Sequence, residues 1–279
     1  MMMTRNKFSI ILYTLFITLL SLLFTPTVYA LGELLVSPTR VIFDKRTRTA
    51  SVSIVNAGNE VKTYRIEFVE RRMTQDGGFE EIKRAKPGEL FSSSMIRFSP
   101  RQVVLEPGQA QAIRLMLRKP AQLADGEYRS HLLFRAIPKA STRSVESLTG
   151  DKAISIKLTP IIGISIPVIV RHGQVSAEVK VDKLRYYAKT SSILFDLKRD
   201  GQTSVYGDIT ILFKNQSGQS NVLRKINGLA IYAPNIARRM NIQVQPQGGD
   251  LKNGTLTVLF HQTKEAGGGL ITEHSVKIP

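Results

Sequence analysis

The chain is 279 residues long, with 42% apolar residues, 22% charged residues and no cysteine. This length allows about two ordinary domains, each able to bury its own core, and the apolar content is typical of globular chains rather than disordered ones. Because cysteine is absent, thiol chemistry, thiolate-bound metals and a disulfide-stapled fold are excluded.

The first thirty residues have the composition of a secretory signal peptide. After a basic start, a mostly apolar run covers residues 8–24 and ends before Pro26. Residues 28–30 (VYA) then provide the small-x-small pattern of a cleavage site. We therefore expect residues 1–30 to be removed and the mature chain to have no membrane span. The alternative is an uncleaved anchor, because the run is long for a signal peptide and short for a span.

The formal net charge is +17, and it remains +15 after Arg5 and Lys7 leave with the signal peptide. A field of this size attracts polyanions such as lipopolysaccharide, nucleic acid and acidic proteins. The basic residues are scattered along strand-like segments, however, and no motif for binding DNA or RNA accompanies them. We expect a solvated basic surface or a modestly acidic partner and no nucleic acid; a polyanion-binding protein is one alternative.

Most of the mature chain alternates apolar and polar residues over short segments separated by turn residues. A period of two indicates strands, and no segment combines a helical period with caps at both ends. The strands predicted in the first half cover 35–36, 41–43, 51–55, 64–68, 96–105, 112–117 and 128–137. Those in the second half cover 175–184, 192–197, 207–213, 228–232, 255–260 and 270–278. Many short strands between Gly and Pro turns predict antiparallel sandwiches.

The boundary between two predicted domains falls at residues 171–173 (RHG), which follow the last strand of the first half. We expect a first domain over 31–170, a hinge over 171–173 and a second sandwich over 174–279. The two halves show no clear sequence repeat. The glycines at 267–269 are best explained as the tip of a hairpin.

One predicted strand is unusually long, because every even position from Ile154 to Val170 is apolar or proline. At about 3.3 Å per residue it would span roughly 55 Å, against the ~17–20 Å of a typical strand. One sandwich cannot bury such a row, and Pro160 and Pro167 do not suit a fully paired central strand. This favours an edge strand with a surplus apolar face; the alternative is two core strands joined by a bend near Gly163.

No pattern in the sequence nominates an active site. His131, His172, His261 and His274 lack metal-ligand spacing, and no nucleophile elbow, phosphate loop or dinucleotide fingerprint is present. We therefore predict no catalytic residue, no metal and no cofactor, and a protein that is not an enzyme.

Several motifs together resemble the periplasmic chaperones of the chaperone–usher pilus pathway. They are residues 37–43 (SPTRVIF), 52–56 (VSIVN), 105–108 (LEPG) with 113–115 (IRL), and 134–138 (FRAIP). These cover most of residues 35–171 in the order of the family, whereas the second half matches only in size and strand content. The resemblance implies two immunoglobulin-like sandwiches at an angle. The turn at 125–128 (DGEY) also resembles the tyrosine corner of sandwich folds.

The resemblance also implies how a partner is held. Arg40 matches an arginine in the cleft between the domains that grips the terminal carboxylate of a partner subunit. The last strand of the first domain would be donated to an incomplete subunit fold. The residues that match its donated face are Ile156, Leu158, Pro160, Ile162 and Ile164.

Two further implications concern the junction between the domains. Glu127, Arg171 and Glu265 match the positions of an interdomain ion cluster. The family also has a cleft lysine four residues before that arginine, and here the position is Pro167. The carboxylate anchor therefore lacks one of its two cations, and the chain is a divergent member of the family.

The sequence as a whole predicts a periplasmic chaperone that caps secreted pilus or fimbrial subunits. An outer-membrane usher is an expected partner, and exposed edge strands allow self-association. The alternative is a structural or adhesive sandwich protein of the cell envelope that captures no pilus subunit.

Overall fold

The computed structural model describes residues 34–138, 163–245 and 251–279, except for the side chain of Glu265. These residues belong to one compact unit that begins at Leu34. The predicted signal peptide and the donated-strand positions Ile156, Leu158, Pro160 and Ile162 lie outside the described residues.

Eighteen strands and three short 3-10 turns form the regular structure of the described residues, and none of these residues is in an α-helix. The strands of the first half are β1 (Leu34–Ser37), β2 (Val41–Phe43), β3 (Thr49–Asn56), β4 (Lys62–Val69), β5 (Arg71–Met73), β6 (Phe79–Glu81), β7 (Ile96–Ser99), β8 (Gln102–Leu105), β9 (Ala110–Leu117), β10 (Gly126–Ile137) and β11 (Gly163–His172). Those of the second half are β12 (Ala177–Tyr187), β13 (Ser192–Gly201), β14 (Val205–Asn215), β15 (Ser220–Ile231), β16 (Ala237–Gln243), β17 (Gly254–His261) and β18 (Leu270–Ile278).

The first sandwich packs a sheet ordered β1-β3-β9-β7 against a sheet ordered β2-β11-β10-β4-β8. Alternate residues of each strand point into the shared core, so Val52 and Ile54 of β3 meet Leu132 and Phe134 of β10 in one buried cluster. Side chains of this size each contribute about 1.5–3 kcal/mol when fully buried. The predicted tyrosine corner is confirmed, since the Tyr128 hydroxyl donates to the carbonyl of Ala124 at 2.9 Å.

The second sandwich is formed by sheets ordered β12-β13-β16 and β15-β14-β17-β18 around its own apolar core. The all-β prediction of two immunoglobulin-like sandwiches is therefore confirmed. The glycines at 267–269 lie between the antiparallel strands β17 and β18, as expected for a hairpin tip. Strand β16 was not predicted, because Arg238 and Arg239 obscure the alternation that leads to the buried Met240 and Ile242.

The single strand predicted over 96–105 is wrong, because the structure has two strands there. Strand β7 belongs to the four-stranded sheet and β8 to the five-stranded sheet. Pro100 lies between them and has no N–H for a ladder, so the chain leaves one sheet and enters the other at this point.

The chain passes between the sandwiches slightly later than the sequence suggests. Arg171 and His172, expected in the hinge, still belong to β11 and pair with Glu127 and Gly126 of β10. The connection to β12 consists of residues 173–176. Gly173 has φ +73°, and a Cβ there would overlap the Asp125 carboxylate, so this turn requires glycine.

Strand β11 is an edge over only part of its described length. Residues 163–167 pair with β10 alone among the described strands, whereas Val168, Ile169 and Val170 also pair in parallel with β2. The even-numbered side chains here point inward, since Ile166, Val168 and Val170 are buried in the first core. Any outward-facing part of the predicted apolar row therefore falls on 154–162, outside the described residues.

Candidate functional site at the junction of the two sandwiches

The outer face of the five-stranded sheet carries the residues that meet the second sandwich. Because neighbouring side chains of a strand alternate between faces, the core position of Tyr128 and Leu132 puts Glu127, Arg129 and His131 on this outer face. Their partners on β11 are Arg171, Ile169 and Pro167, respectively. The junction is therefore built on a polar row of β10 and the facing residues of β11.

A small apolar cluster joins the two sandwiches. It contains Met73 and Ile169 from the first sandwich and Ala230 and Tyr232 from the second, with Tyr206 packed against it. Ile169 is fully buried and Tyr232 is only 5% exposed. This buried apolar cluster lowers the local dielectric constant at the junction. Charged groups beside it therefore interact more strongly than they would in water.

Arg40, which precedes β2, extends from the first sandwich onto two tyrosines of the second. Its guanidinium carbon lies 3.5 Å from the centroid of the Tyr206 ring, and its Nη2 donates to the Tyr232 hydroxyl at 3.0 Å. Its Nε is buried and has no hydrogen-bond partner among the described residues. The structure thus places Arg40 at the junction, where stacking and one hydrogen bond fix its planar group.

Arg129 reaches the same tyrosine from β10. Its guanidinium carbon lies 4.5 Å from the centroid of the Tyr232 ring, and that of Arg40 lies 5.5 Å from it. Nη1 of Arg129 donates to the Arg71 carbonyl at 3.2 Å and lies 3.5 Å from Nε2 of His131. Burial lowers the pKa of Arg129, but a guanidinium stays protonated in proteins.

His131 is a buried, uncharged member of the same face. It is 2% exposed, its Nδ1 has no partner among the described residues, and its ring lies 5.3 Å from that of Phe79. Burial lowers the pKa of His131 to about 3, and the positive charges of Arg129, Arg71 and Arg40 act in the same direction. The imidazole is therefore neutral at physiological pH and adds no charge to the junction.

Glu127 and Arg171, expected in an interdomain ion cluster, are brought together by the β10–β11 ladder. Arg171 Nε donates to Glu127 Oε2 at 3.0 Å, and Arg171 Nη2 donates to the Ser204 carbonyl of the second sandwich at 3.1 Å. Glu127 also accepts from the backbone N–H of Ser204 at 3.0 Å and from its hydroxyl. Glu265 lies in the turn between β17 and β18, and its side chain is outside the described residues.

Arg199 organises the loop that presents Ser204. It is 4% exposed and donates to the carbonyls of Asn235, Gly201 and Thr203 at 2.7–3.0 Å. This buried arginine therefore fixes residues 201–204 against β13. Sequence reasoning did not identify Arg199 or Ser204, because neither belongs to a local motif.

The hairpin of β5 and β6 attaches the first sandwich to the second at a further point. Arg239 donates its backbone N–H to the Gln75 carbonyl at 2.7 Å, and the Asn235 amide donates to the Met73 carbonyl at 2.8 Å. Gly77, at the tip of the hairpin, lies against the guanidinium of Arg238. This hairpin and the ion cluster hold the junction from two sides.

Of the donated-strand positions, the structure describes only Ile164. Its side chain is partly buried and packs against the first core, away from the tyrosines of the junction. The residues around Arg40 that the sequence did not reveal are Arg129, Tyr206 and Tyr232. A signal for Arg129 does exist, since Glu127, Arg129 and His131 form a polar row on a strand whose other face is apolar apart from Ser130.

No group of three or more His, Asp and Glu side chains within residues 34–138, 163–245 and 251–279 could hold a metal ion. No helix in this part of the chain has the length and apolar character needed to cross a membrane.

The fold and its junction define an all-β protein of two immunoglobulin-like sandwiches joined by a cationic and aromatic interface. The family model of the pili and flagellar-assembly chaperone PapD N-terminal domain matches residues 33–172. The chain therefore belongs to this family of pilus-assembly chaperones. No curated protein matches it in sequence.

Several solved chaperone structures are similar to the chain at low identity. The YadV chaperone is 14% identical, covers 88% of this chain and 100% of its own, and has a TM-score of 0.44. The Pseudomonas aeruginosa CupB2 chaperone is 10% identical, with coverages of 88% and 100% and a TM-score of 0.42. The Salmonella enterica SafB chaperone, solved with the SafA pilin, is 13% identical, with coverages of 90% and 98% and a TM-score of 0.41.

Proposed function

We propose that this protein is a periplasmic chaperone that binds and caps secreted pilus or fimbrial subunits. It would act after removal of residues 1–30, anchor the subunit's terminal carboxylate at Arg40, and donate the strand that contains Ile156, Leu158, Pro160, Ile162 and Ile164. It would deliver the subunit to an outer-membrane usher without a cofactor.

The observation that carries the proposal is the position of Arg40. Its guanidinium lies between the two sandwiches, and its only hydrogen bond to the described residues is the one to Tyr232. A guanidinium with donors to spare matches the two oxygens of a carboxylate and forms strong, charge-assisted hydrogen bonds with them. This arrangement supports capture of a chain end.

The partial edge of β11 supports strand donation. Residues 163–167 have β10 on one side and no other partner among the described strands, and they include Ile164, the last residue of the predicted donated face. An added strand is held by main-chain hydrogen bonds, and alternate side chains give it specificity. Pairing of such edges between two copies would also allow self-association.

The experiment is a pull-down of residues 31–279 from periplasmic extract with mass spectrometry of the bound proteins. Small strand-rich secreted subunits should bind the wild type and be lost with Ile162→Asp. Val104→Asp is the matched control, because Val104 is 58% exposed on β8, the opposite edge of the same sheet. This control should retain the subunits.

Subunit binding that survives Ile162→Asp would contradict strand donation. Absence of such subunits from the wild-type sample would favour a structural or adhesive role in the cell envelope. Pro167 favours this alternative, because it stands where the family has a cleft lysine and carries no charge to bind a carboxylate.

A further inference from the structure

The junction contains one buried and two partly buried positive charges that form no direct ion pair. No carboxylate oxygen of the described residues lies within ion-pair distance of Arg40, Arg71 or Arg129. The nearby Glu70 accepts a hydrogen bond from the Ser130 hydroxyl at 2.8 Å, and Glu127 is paired with Arg171. The second oxygen of Glu70, Oε2, is buried without a hydrogen-bond partner among the described residues, and Glu70 attracts Arg129 only through space. None of these acids therefore forms a direct ion pair with Arg40, Arg71 or Arg129.

Unpartnered donors accompany these charges. The Nε atoms of both Arg40 and Arg129 are buried and have no hydrogen-bond partner among the described residues. Arg129 is 9% exposed, and its other nitrogens donate only to backbone carbonyls and face the neutral ring of His131. Buried charges in proteins are normally paired, because desolvation without a partner is costly.

The two guanidinium groups are arranged around one aromatic ring. Arg40 donates to the hydroxyl of Tyr232, and the carbons of both guanidinium groups lie within 5.5 Å of the centroid of that ring. Two like charges this close repel each other, and an anion between or beside them removes the repulsion. The geometry is that of an anion site with two cations, one just before β2 and one on β10.

We propose that Arg129 is the second cation of the carboxylate site, acting with Arg40 across Tyr232. This inference rests on the proposed function, which supplies the ligand as the terminal carboxylate of a bound polypeptide. Arg40 contacts the carboxylate directly. Arg129, which is buried beside His131, attracts the carboxylate through its positive charge. A charged residue at position 167 of β11 is then not required for carboxylate binding, because Arg129 of β10 supplies the second positive charge.

The test compares two peptides that differ only at their C-terminus. Each is an extended decapeptide of alternating apolar residues, one ending in a free acid and the other in an amide. The wild-type chaperone should bind the free acid at least tenfold more tightly, as expected for a charged hydrogen-bonded contact. Arg40→Gln and Arg129→Gln should each reduce this preference severalfold, while Arg129→Lys, which keeps the charge, should retain most of it.

Arg97→Gln is the matched control, because Arg97 is an exposed arginine on β7, in the other sheet of the first sandwich. It should leave the preference unchanged. A second measurement uses the wild type alone, so that it does not depend on whether Arg129→Gln folds. The side-chain Nε–H NMR signals of both Arg40 and Arg129 should shift with the free-acid peptide and not with the amide.

The outcomes separate the inference from the function on which it rests. If the preference falls with Arg40→Gln but is intact in folded Arg129→Gln, or if only the Arg40 signal shifts, the role of Arg129 is refuted and carboxylate capture stands. If the wild type binds acid and amide equally, carboxylate capture itself is refuted, and the role of Arg129 with it.

Discussion

The carboxylate of Glu127, on the first sandwich, accepts a hydrogen bond from the backbone N–H of Ser204, on the second, at 3.0 Å. The same carboxylate pairs with Arg171, and its side chain has no exposed surface. One buried acid thus connects strand β10 of the first sandwich to the loop before β14 of the second. This contact, unlike the surface ion pairs of the molecule, is shielded from water and salt.

Glu127→Ala should therefore lower the free energy of unfolding by about 3–5 kcal/mol, because it leaves Arg171 and the Ser204 N–H without their partner. Glu67→Ala is the control, since Glu67 forms a 2.8 Å pair with Arg135 in which both side chains are at least 35% exposed. That loss should be at most about 1 kcal/mol. Urea unfolding measures both, and equal losses would contradict a structural role for the buried cluster.

The buried His131 makes stability dependent on pH in a defined direction. Its folded-state pKa of about 3 is below its ordinary value of 6.5, so the unfolded state binds a proton first as the pH falls. The contribution is intact above pH 6.5 and is lost progressively toward pH 3. Lowering the pH from 7.5 to 5 should therefore reduce the free energy of unfolding by about 2 kcal/mol. The reduction is about 1.4 kcal/mol for each pH unit below the unfolded-state pKa of 6.5.

His131→Leu should remove this dependence. Urea midpoints measured at pH 7.5 and pH 5 should fall less for the variant than for the wild type, by an amount equivalent to about 2 kcal/mol. Parallel pH profiles for the two proteins would show that His131 does not titrate as the structure indicates.

The tip of the β5–β6 hairpin can be tested with a pair of glycines. Gly77 has φ +92°, and a Cβ there would overlap the guanidinium of Arg238, whose Nη1 donates to the Ala230 carbonyl at 2.7 Å. Gly108 has φ +75° and no atom within 4 Å of the same position. Both Ala variants should suffer the left-handed penalty of about 1–2 kcal/mol.

Gly77→Ala should lose about 1 kcal/mol more than Gly108→Ala, because it also displaces a hydrogen-bonded arginine at the junction. Urea unfolding gives the difference, and hydrogen exchange should show faster exchange of the Arg239 amide, which bonds to Gln75. Equal decreases in the free energy of unfolding for the two variants would mean that Gly77 is not in close contact with Arg238 of the second sandwich.

A lysine at position 167 should be unfavourable in this protein. Pro167 pairs with His131 on the junction face, so an ammonium there would lie among the guanidinium groups. Pro167→Lys should therefore destabilise the Arg129→Gln protein by about 1 kcal/mol less than it destabilises the wild type. Backbone effects of removing proline cancel in this double-mutant cycle, and a coupling of zero would argue against a shared field.

The strands could be predicted from the sequence because each carries its signal locally. Val52 and Ile54 of β3 alternate with serines, and the turn at 125–128 marks its own tyrosine corner. Strands β7 and β8 were merged because alternation does not report which sheet a residue joins. Strand β16 was missed because its two arginines make polar contacts instead of packing in the core. Arg238 donates to the Ala230 carbonyl and Arg239 to the Asp196 carboxylate of β13.

The candidate site was only partly predictable for a related reason. Arg40 could be named from its motif, but its partner Tyr232 is 192 positions away and belongs to a different sandwich. The pairing of Arg129 with the same tyrosine depends on how the domains meet, which no local pattern encodes. The Glu127–Arg171 contact follows from the register of β10 with β11. This register is known only once the fold is known.

The chemistry of the junction also determines how the site responds to an acidic medium. Its guanidinium groups remain protonated, and His131 can only gain a positive charge on acidification. Burial raises the pKa of Glu70, so its negative charge is lost at a higher pH than that of an ordinary glutamate. Acid therefore cannot discharge this surface; it makes it more positive. Any release of a bound chain end at low pH would have to originate in the guest's own carboxyl group.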